Sequence, residues 1–112
     1  MLRDSFTVVR ETSMAMESAY EWPIMATLQS DTWYECVFIG DPDSKLLEIR
    51  IYDQNEKEVV YKKHYGLING NIIRFYYRSK FSEWHIIRPV QVHKKKKQLC
   101  GYIMLFKKKR EA

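Results

Sequence analysis

Apolar and polar residues alternate with a period of two over most of this chain, which predicts strands. Residues 46–53 show it most plainly: Leu47, Ile49 and Ile51 fall on one side, Glu48, Arg50 and Tyr52 on the other. Residues 58–63 return after the short polar link 54–56, and the two runs predict a hairpin. Residues 72–79 set Ile73, Phe75 and Tyr77 against Arg74, Tyr76 and Arg78, with Lys80 continuing the basic side. Residues 32–39 are rich in aromatic and β-branched side chains, which suit a half-buried pleated surface. Residues 6–9 and 24–28 are shorter runs of the same kind. Residues 83–92 predict a further strand, in which Pro89 points to an edge or a bulge. Residues 99–106 are apolar on both faces and read as a strand covered on both sides.

One segment breaks the period. In residues 12–22, Met14, Ala15, Ala19 and Trp22 recur at helical spacing, Thr12 or Ser13 can cap, and Pro23 ends the ladder. This predicts a short N-terminal helix. Gly40-Asp41-Pro42-Asp43-Ser44 is a turn in which Asp side chains can bond the backbone two residues on. Asn69-Gly70 is a hairpin cue, because both residues tolerate positive φ. Residues 64–67 read as a bend or a helical turn, residues 94–98 as a basic turn and residues 107–112 as a basic, frayed tail.

These elements predict a mainly β fold: a small antiparallel barrel of the oligonucleotide/oligosaccharide-binding kind, or a two-sheet sandwich, with one short N-terminal helix. At 112 residues the expected organisation is a single β-rich domain spanning 1–112. A 46% hydrophobic and 14% aromatic composition supports a folded core, since disordered chains are poor in both. No secretory leader is recognisable at the N-terminus, and no run of about 18 apolar residues could cross a bilayer as a helix. With only Cys36 and Cys100, an intracellular, reducing setting is expected, cytoplasmic or nuclear.

Charge changes the picture. Residues 1–56 hold 4 Lys+Arg against 11 Asp+Glu, a net of −7, whereas residues 57–112 hold 15 against 3, a net of +12. The basic half peaks at Lys94, Lys95, Lys96 and Lys97 and again at Lys107, Lys108, Lys109 and Arg110. Such clusters point to a polyanion partner or to an address signal. Arg74, Tyr76, Arg78 and Lys80 would stand about 6.5–7 Å apart along one strand face, close to the phosphate spacing of a single strand. Arg can hold phosphate bidentately and Tyr76 can stack a base, with Trp84 or His85 extending the platform and Arg88 adding a cation.

The expected function is therefore non-enzymatic nucleic-acid binding, dominated by phosphate contacts, with weak sequence preference. The plainer reading is a solvent face whose cations pair with acids of the first half. The alternative function is a protein-interaction or scaffold subunit, or a homo-oligomer, whose lysines serve as an address or for solubility. A membrane surface is the partner the sequence favours least. Catalytic and cofactor chemistry find no support: there is no nucleophile elbow and no phosphate-cradling loop. Cys36, Cys100, His64, His85 and His93 lack metal-ligand spacing, so no metal or cofactor is expected.

Overall fold

The structure is a computed structural model and describes residues 6–108. Eight strands run in chain order: β1 (Phe6–Glu17), β2 (Ile24–Leu28), β3 (Trp33–Ile39), β4 (Leu46–Tyr52), β5 (Glu58–Tyr65), β6 (Ile72–Arg78), β7 (Glu83–Val92) and β8 (Gln98–Lys108). A four-residue helix, α1 (Gly66–Asn69), lies between β5 and β6. The pairs β1·β8, β2·β7, β3·β6 and β4·β5 are all antiparallel. The chain is thus one long ribbon folded back on itself, each strand meeting its counterpart counted from the other end. Two further antiparallel contacts, β3·β8 and β4·β7, roll that ribbon into two sheets, ordered β1-β8-β3-β6 and β2-β7-β4-β5. This is the strand order of a jelly roll.

Alternation decides which side chains meet between the sheets. Tyr34, Cys36 and Phe38 of β3, Ile73 and Phe75 of β6, and Ile103 and Leu105 of β8 face Leu47, Ile49 and Ile51 of β4, Ile87 of β7, and Ile24 and Leu28 of β2. The sheets do not close into a barrel, so the oligonucleotide-binding barrel is not the arrangement formed; two facing sheets are consistent with a β-sandwich.

The expected helix over residues 12–22 is instead the second half of β1 and the turn after it. Met14 and Met16 are buried while Ser13, Ala15 and Glu17 are exposed, a period of two hidden by the apolar Ala15. From Phe6 to Glu17, β1 pairs with β8 along its whole length, slipping once between Val8 and Arg10. A ladder of that length outweighs a weak local helix propensity. Ala19, at φ 71°, then turns the chain, and its amide donates to the Gln91 carbonyl at 2.7 Å.

Three smaller expectations also change. Pro89 sits in the inner strand β7, not at an edge. Its carbonyl accepts the Trp22 amide at 3.1 Å, so its donor-less nitrogen faces the β1–β2 turn beyond the end of β2, where no ladder bond is lost. Asn69-Gly70 does place Gly70 at φ 83°, yet it joins two sheets, because β5 and β6 pair with different partners. Lys107 and Lys108 are not tail residues: they end β8, opposite Thr7 and Phe6. The β4–β5 hairpin and the Gly40–Ser44 turn stand as expected, the latter closed by the Asp43 amide donating to Asp41 Oδ1 at 3.0 Å.

Candidate nucleic-acid interface

On β6, an edge strand, Ile73 and Phe75 point into the core, and this fixes Arg74, Tyr76 and Arg78 on the outer face of the first sheet. Their neighbours on β3 are Val37, Glu35 and Trp33 respectively. Tyr76 is 57% and Trp33 45% exposed, so two aromatic rings and two guanidinium groups share one corner of this face. Behind them Met104 and Phe106 of β8 continue the face, half-buried, and Lys108 lies at its end. Phe6 of β1 leans over from the far edge, its ring 6.3 Å from that of Tyr76 and tilted by 42°. A shallow, open groove runs beside Tyr76, between the free edges of β5 and β6, lined by Trp33, Val60, Tyr61, Lys62, Tyr76 and Arg78.

The other expected contact residues scatter. Lys80 is exposed in the β6–β7 connection, past the last paired residue of β6. Trp84 and Arg88 lie on the outer face of the second sheet, across the sandwich from Arg74. Trp84 therefore cannot extend the Tyr76 platform. Arg88 is engaged there, 3.5 Å from Glu21 and 5.0 Å above the Tyr52 ring. His85 is wholly buried, 3.0 Å from the Tyr77 hydroxyl. Lys94, Lys95, Lys96 and Lys97 form the β7–β8 loop at the end of the sandwich where β8 begins, and Lys107 and Lys108 sit at the other end. Lys107 donates to Gln29 there. Lys109 and Arg110 lie outside the described residues.

The charge split has a structural cause. Of the seven ion pairs among the described residues, five set an acid of the first half against a cation of the second. A ribbon that pairs the start of the chain with its end brings these halves together. Arg74 meets Glu35 at 3.7 Å and Arg78 meets Asp31 at 2.9 Å. Both guanidinium groups stay well exposed; Asp31 is exposed too, so its pair with Arg78 is worth only about 0–1 kcal/mol and a phosphate can displace it, whereas Glu35 is half-buried.

Sequence reasoning missed Trp33, Tyr61 and Lys62 as companions of Tyr76. The signal for Trp33 was its phase: it alternates with Glu35, Val37 and Ile39, not with the core residues Tyr34, Cys36 and Phe38. Tyr61 and Lys62 needed the topology, since β5 belongs to the other sheet.

A second polar cluster ties the loops together. Gln91, fully buried on β7, accepts at Oε1 from the Asp41 amide (2.7 Å) and from the Ser44 hydroxyl. Its Nε2 donates to the Cys100 carbonyl (2.9 Å) and to Met16 Sδ (3.1 Å). Asp41 in turn accepts from the Asp43 amide, Lys96 Nζ (3.0 Å) and the Cys100 amide (3.2 Å). These donors, the Asp43 amide first, hold the Asp41 carboxyl below its ordinary value. A depressed carboxylate contributes stability above its unfolded pKa, about 3.9, and loses it as pH falls through the folded value. The Asp41→Asn variant should therefore melt lower than the parent at pH 7, and the gap should narrow in melts below about pH 4.

Elsewhere, burial, and then Glu35, push the Cys36 thiol up to about 12, which leaves it a core side chain with no nucleophilic character. Cys36 and Cys100 are both free. Among the described residues no three of His, Cys, Asp or Glu converge as a metal site, and no helix is long and apolar enough to cross a membrane.

No family model matches this chain, and no curated protein matches it. Among solved structures it is similar in shape to a chain of Bacillus endospore appendages, described as a novel family of disulfide-linked pili. That match has a TM-score of 0.47 and 13% identity, over 99% of this chain and 96% of that one. It is also similar to part of a Glycosylation Associate Protein complex from Streptococcus agalactiae, with a TM-score of 0.45 and 12% identity over 91% of this chain and 39% of that one. A chain of infectious bursal disease virus, Gx strain, gives a TM-score of 0.33 and 12% identity over 87% of this chain and 32% of that one. This chain thus spans well under half of the latter two. Likenesses this distant assign no activity.

Proposed function

We propose that this chain is a non-enzymatic module that binds single-stranded nucleic acid on the outer face of its first sheet. The observation behind this reading is the corner where Arg74, Tyr76 and Arg78 alternate beside Trp33. Successive members of the β6 row stand about 6.5–7 Å apart, a spacing that lets two phosphates meet two arginines while bases stack on the intervening rings. Asp31, which holds Arg78, is exposed and easily displaced, and the Arg74 guanidinium stays open to solvent beside the half-buried Glu35. The open groove beside Tyr76 gives the strand a second wall, with Lys62 on it. Phosphate contacts dominate such binding, so sequence preference is weak and salt dependence steep. Two free cysteines fit a reducing compartment, cytoplasm or nucleus.

The test is the salt slope. Replacing Arg74 and Arg78 by Ala should flatten the fall of affinity with salt by about 0.7 per lost phosphate contact on a logarithmic plot, with little change in melting temperature. An unchanged slope would remove both arginines from the interface. A second reading rests on the same face: Val37 is buried and Ile39, Tyr102, Met104 and Phe106 are half-buried on the side of the sheet that carries Phe6 and Tyr76, which suits a protein partner or a second copy. Such a complex would persist at about 0.5 M salt, where exposed charges are screened.

A further inference from the structure

Four connections gather at the end of the sandwich where β8 begins: β1–β2, β3–β4, β5–β6 and β7–β8. Their mutual bonds show it. Ser18 donates its amide to the Lys97 carbonyl at 3.0 Å, Gly66 donates to the Lys45 carbonyl at 2.9 Å, and Gly40 and Asn71 exchange two bonds of 2.8 Å. Lys96 reaches back to Asp41 at 3.0 Å and Asp43 at 3.6 Å.

Two features stand out there. The first is α1, which buries none of its residues: Leu67 is 93% and Ile68 82% exposed. Large aliphatic side chains held that far into water gain nothing in the folded chain. The tip that carries them is nonetheless firmly tied. Tyr65 donates its amide to Asn69 Oδ1 at 2.9 Å, and Gly70 donates to the Gly66 carbonyl at 3.1 Å. A side chain at Gly66 would come within 1.9 Å of the Ser44 carbonyl, so the tip is seated directly on the β3–β4 turn. The second feature is charge. Lys45, Lys94, Lys95 and Lys97 make no ion pair among the described residues, whereas Arg74, Arg78, Arg88 and Lys96 all do. These four lysines lie in the β3–β4 and β7–β8 connections, at the same end of the sandwich as the exposed apolar tip.

We infer that this end of the molecule docks on an anionic lipid surface, with Leu67 and Ile68 entering the acyl boundary and Lys45, Lys94, Lys95 and Lys97 against the headgroups. Lysines alone would suit any polyanion. The aliphatic pair separates the candidates: it offers a nucleic acid nothing to stack on, and it enters hydrocarbon favourably. A stable protein interface covers about 800 Å² per partner, far more than two side chains present. Apolar insertion combined with attraction to anionic lipid is the pairing that holds peripheral proteins on the cytoplasmic leaflet. Because the tip is already ordered, docking costs little further conformational freedom.

The test is sedimentation of the full chain with phosphatidylcholine vesicles, with and without phosphatidylserine. Retention only on the anionic vesicles, weakening with salt, is the expected result. The double variant Leu67→Ser, Ile68→Ser should lower retention at least ~10-fold. It removes no buried contact, so its melting temperature should match the parent's. Its affinity for single-stranded nucleic acid should also be unchanged, and the Trp33→Ala, Tyr76→Ala variant should keep full vesicle retention. These crossed controls separate this site from the sheet face. The inference is overturned by absence of retention on anionic vesicles, by retention that survives loss of Leu67 and Ile68, or by a dimer that those two substitutions abolish.

Discussion

Replacing Gln91 by leucine should cost about 3–5 kcal/mol of folding stability, read as a drop in the urea midpoint at constant slope. Leucine fills most of the volume but supplies neither acceptor nor donor. The Asp41 amide and the Ser44 hydroxyl then lose their common acceptor in a place water does not reach, and the Cys100 carbonyl loses a donor. Each buried group left unpaired costs about 1–3 kcal/mol. The loss would also spread, because Gln91 bonds the β3–β4 turn to β8 and touches Met16 of β1. The tight fit leaves little room for rearrangement: a side chain at Gly40 would meet Leu47 Cδ2 at 2.2 Å and Gln91 Oε1 at 2.8 Å. A cost under about 1 kcal/mol would mean that this network does not hold the loop end together.

The largest expected effect on binding belongs to the aromatic pair. Trp33→Ala combined with Tyr76→Ala should weaken single-stranded nucleic-acid binding by at least about 30-fold, because stacking contributes about 1–3 kcal/mol per base. Stability should change little, since each ring is roughly half in solvent. Trp84→Ala is the matched control: it removes a tryptophan from the opposite face of the sandwich and should leave affinity untouched. An equal loss with Trp84→Ala would point to a site on the second sheet or to a general effect on folding.

Strands were legible in the sequence wherever alternation was uninterrupted, as in Leu47, Ile49 and Ile51 against Glu48, Arg50 and Tyr52. The misreading of β1 came from Ala15 and Ala19, small residues that complete a helical stripe yet sit equally well on a strand's outer face and in a turn. Only the partner strand decides between them, and β8 lies more than 80 positions away. Sheet membership was illegible for the same reason: Tyr76 and Trp84 are close in sequence and end on opposite faces because the chain changes sheets between β6 and β7. The −7/+12 split was visible at once, but much of it is the charge complementarity of a ribbon that pairs the first half with the second. That Lys45, Lys94, Lys95 and Lys97 share one end of the sandwich with the exposed tip of α1 needed the topology as well.

The central claim is that the Arg74–Tyr76–Arg78 face binds single-stranded nucleic acid through phosphate contacts and stacking. Fluorescence-anisotropy titration of labelled single-stranded DNA and RNA, at about 50 and 200 mM salt, tests it most directly. Micromolar or tighter binding at the lower salt, falling steeply at the higher, is the expected result. Undetectable binding at the lower salt would contradict it and leave the face to a protein partner.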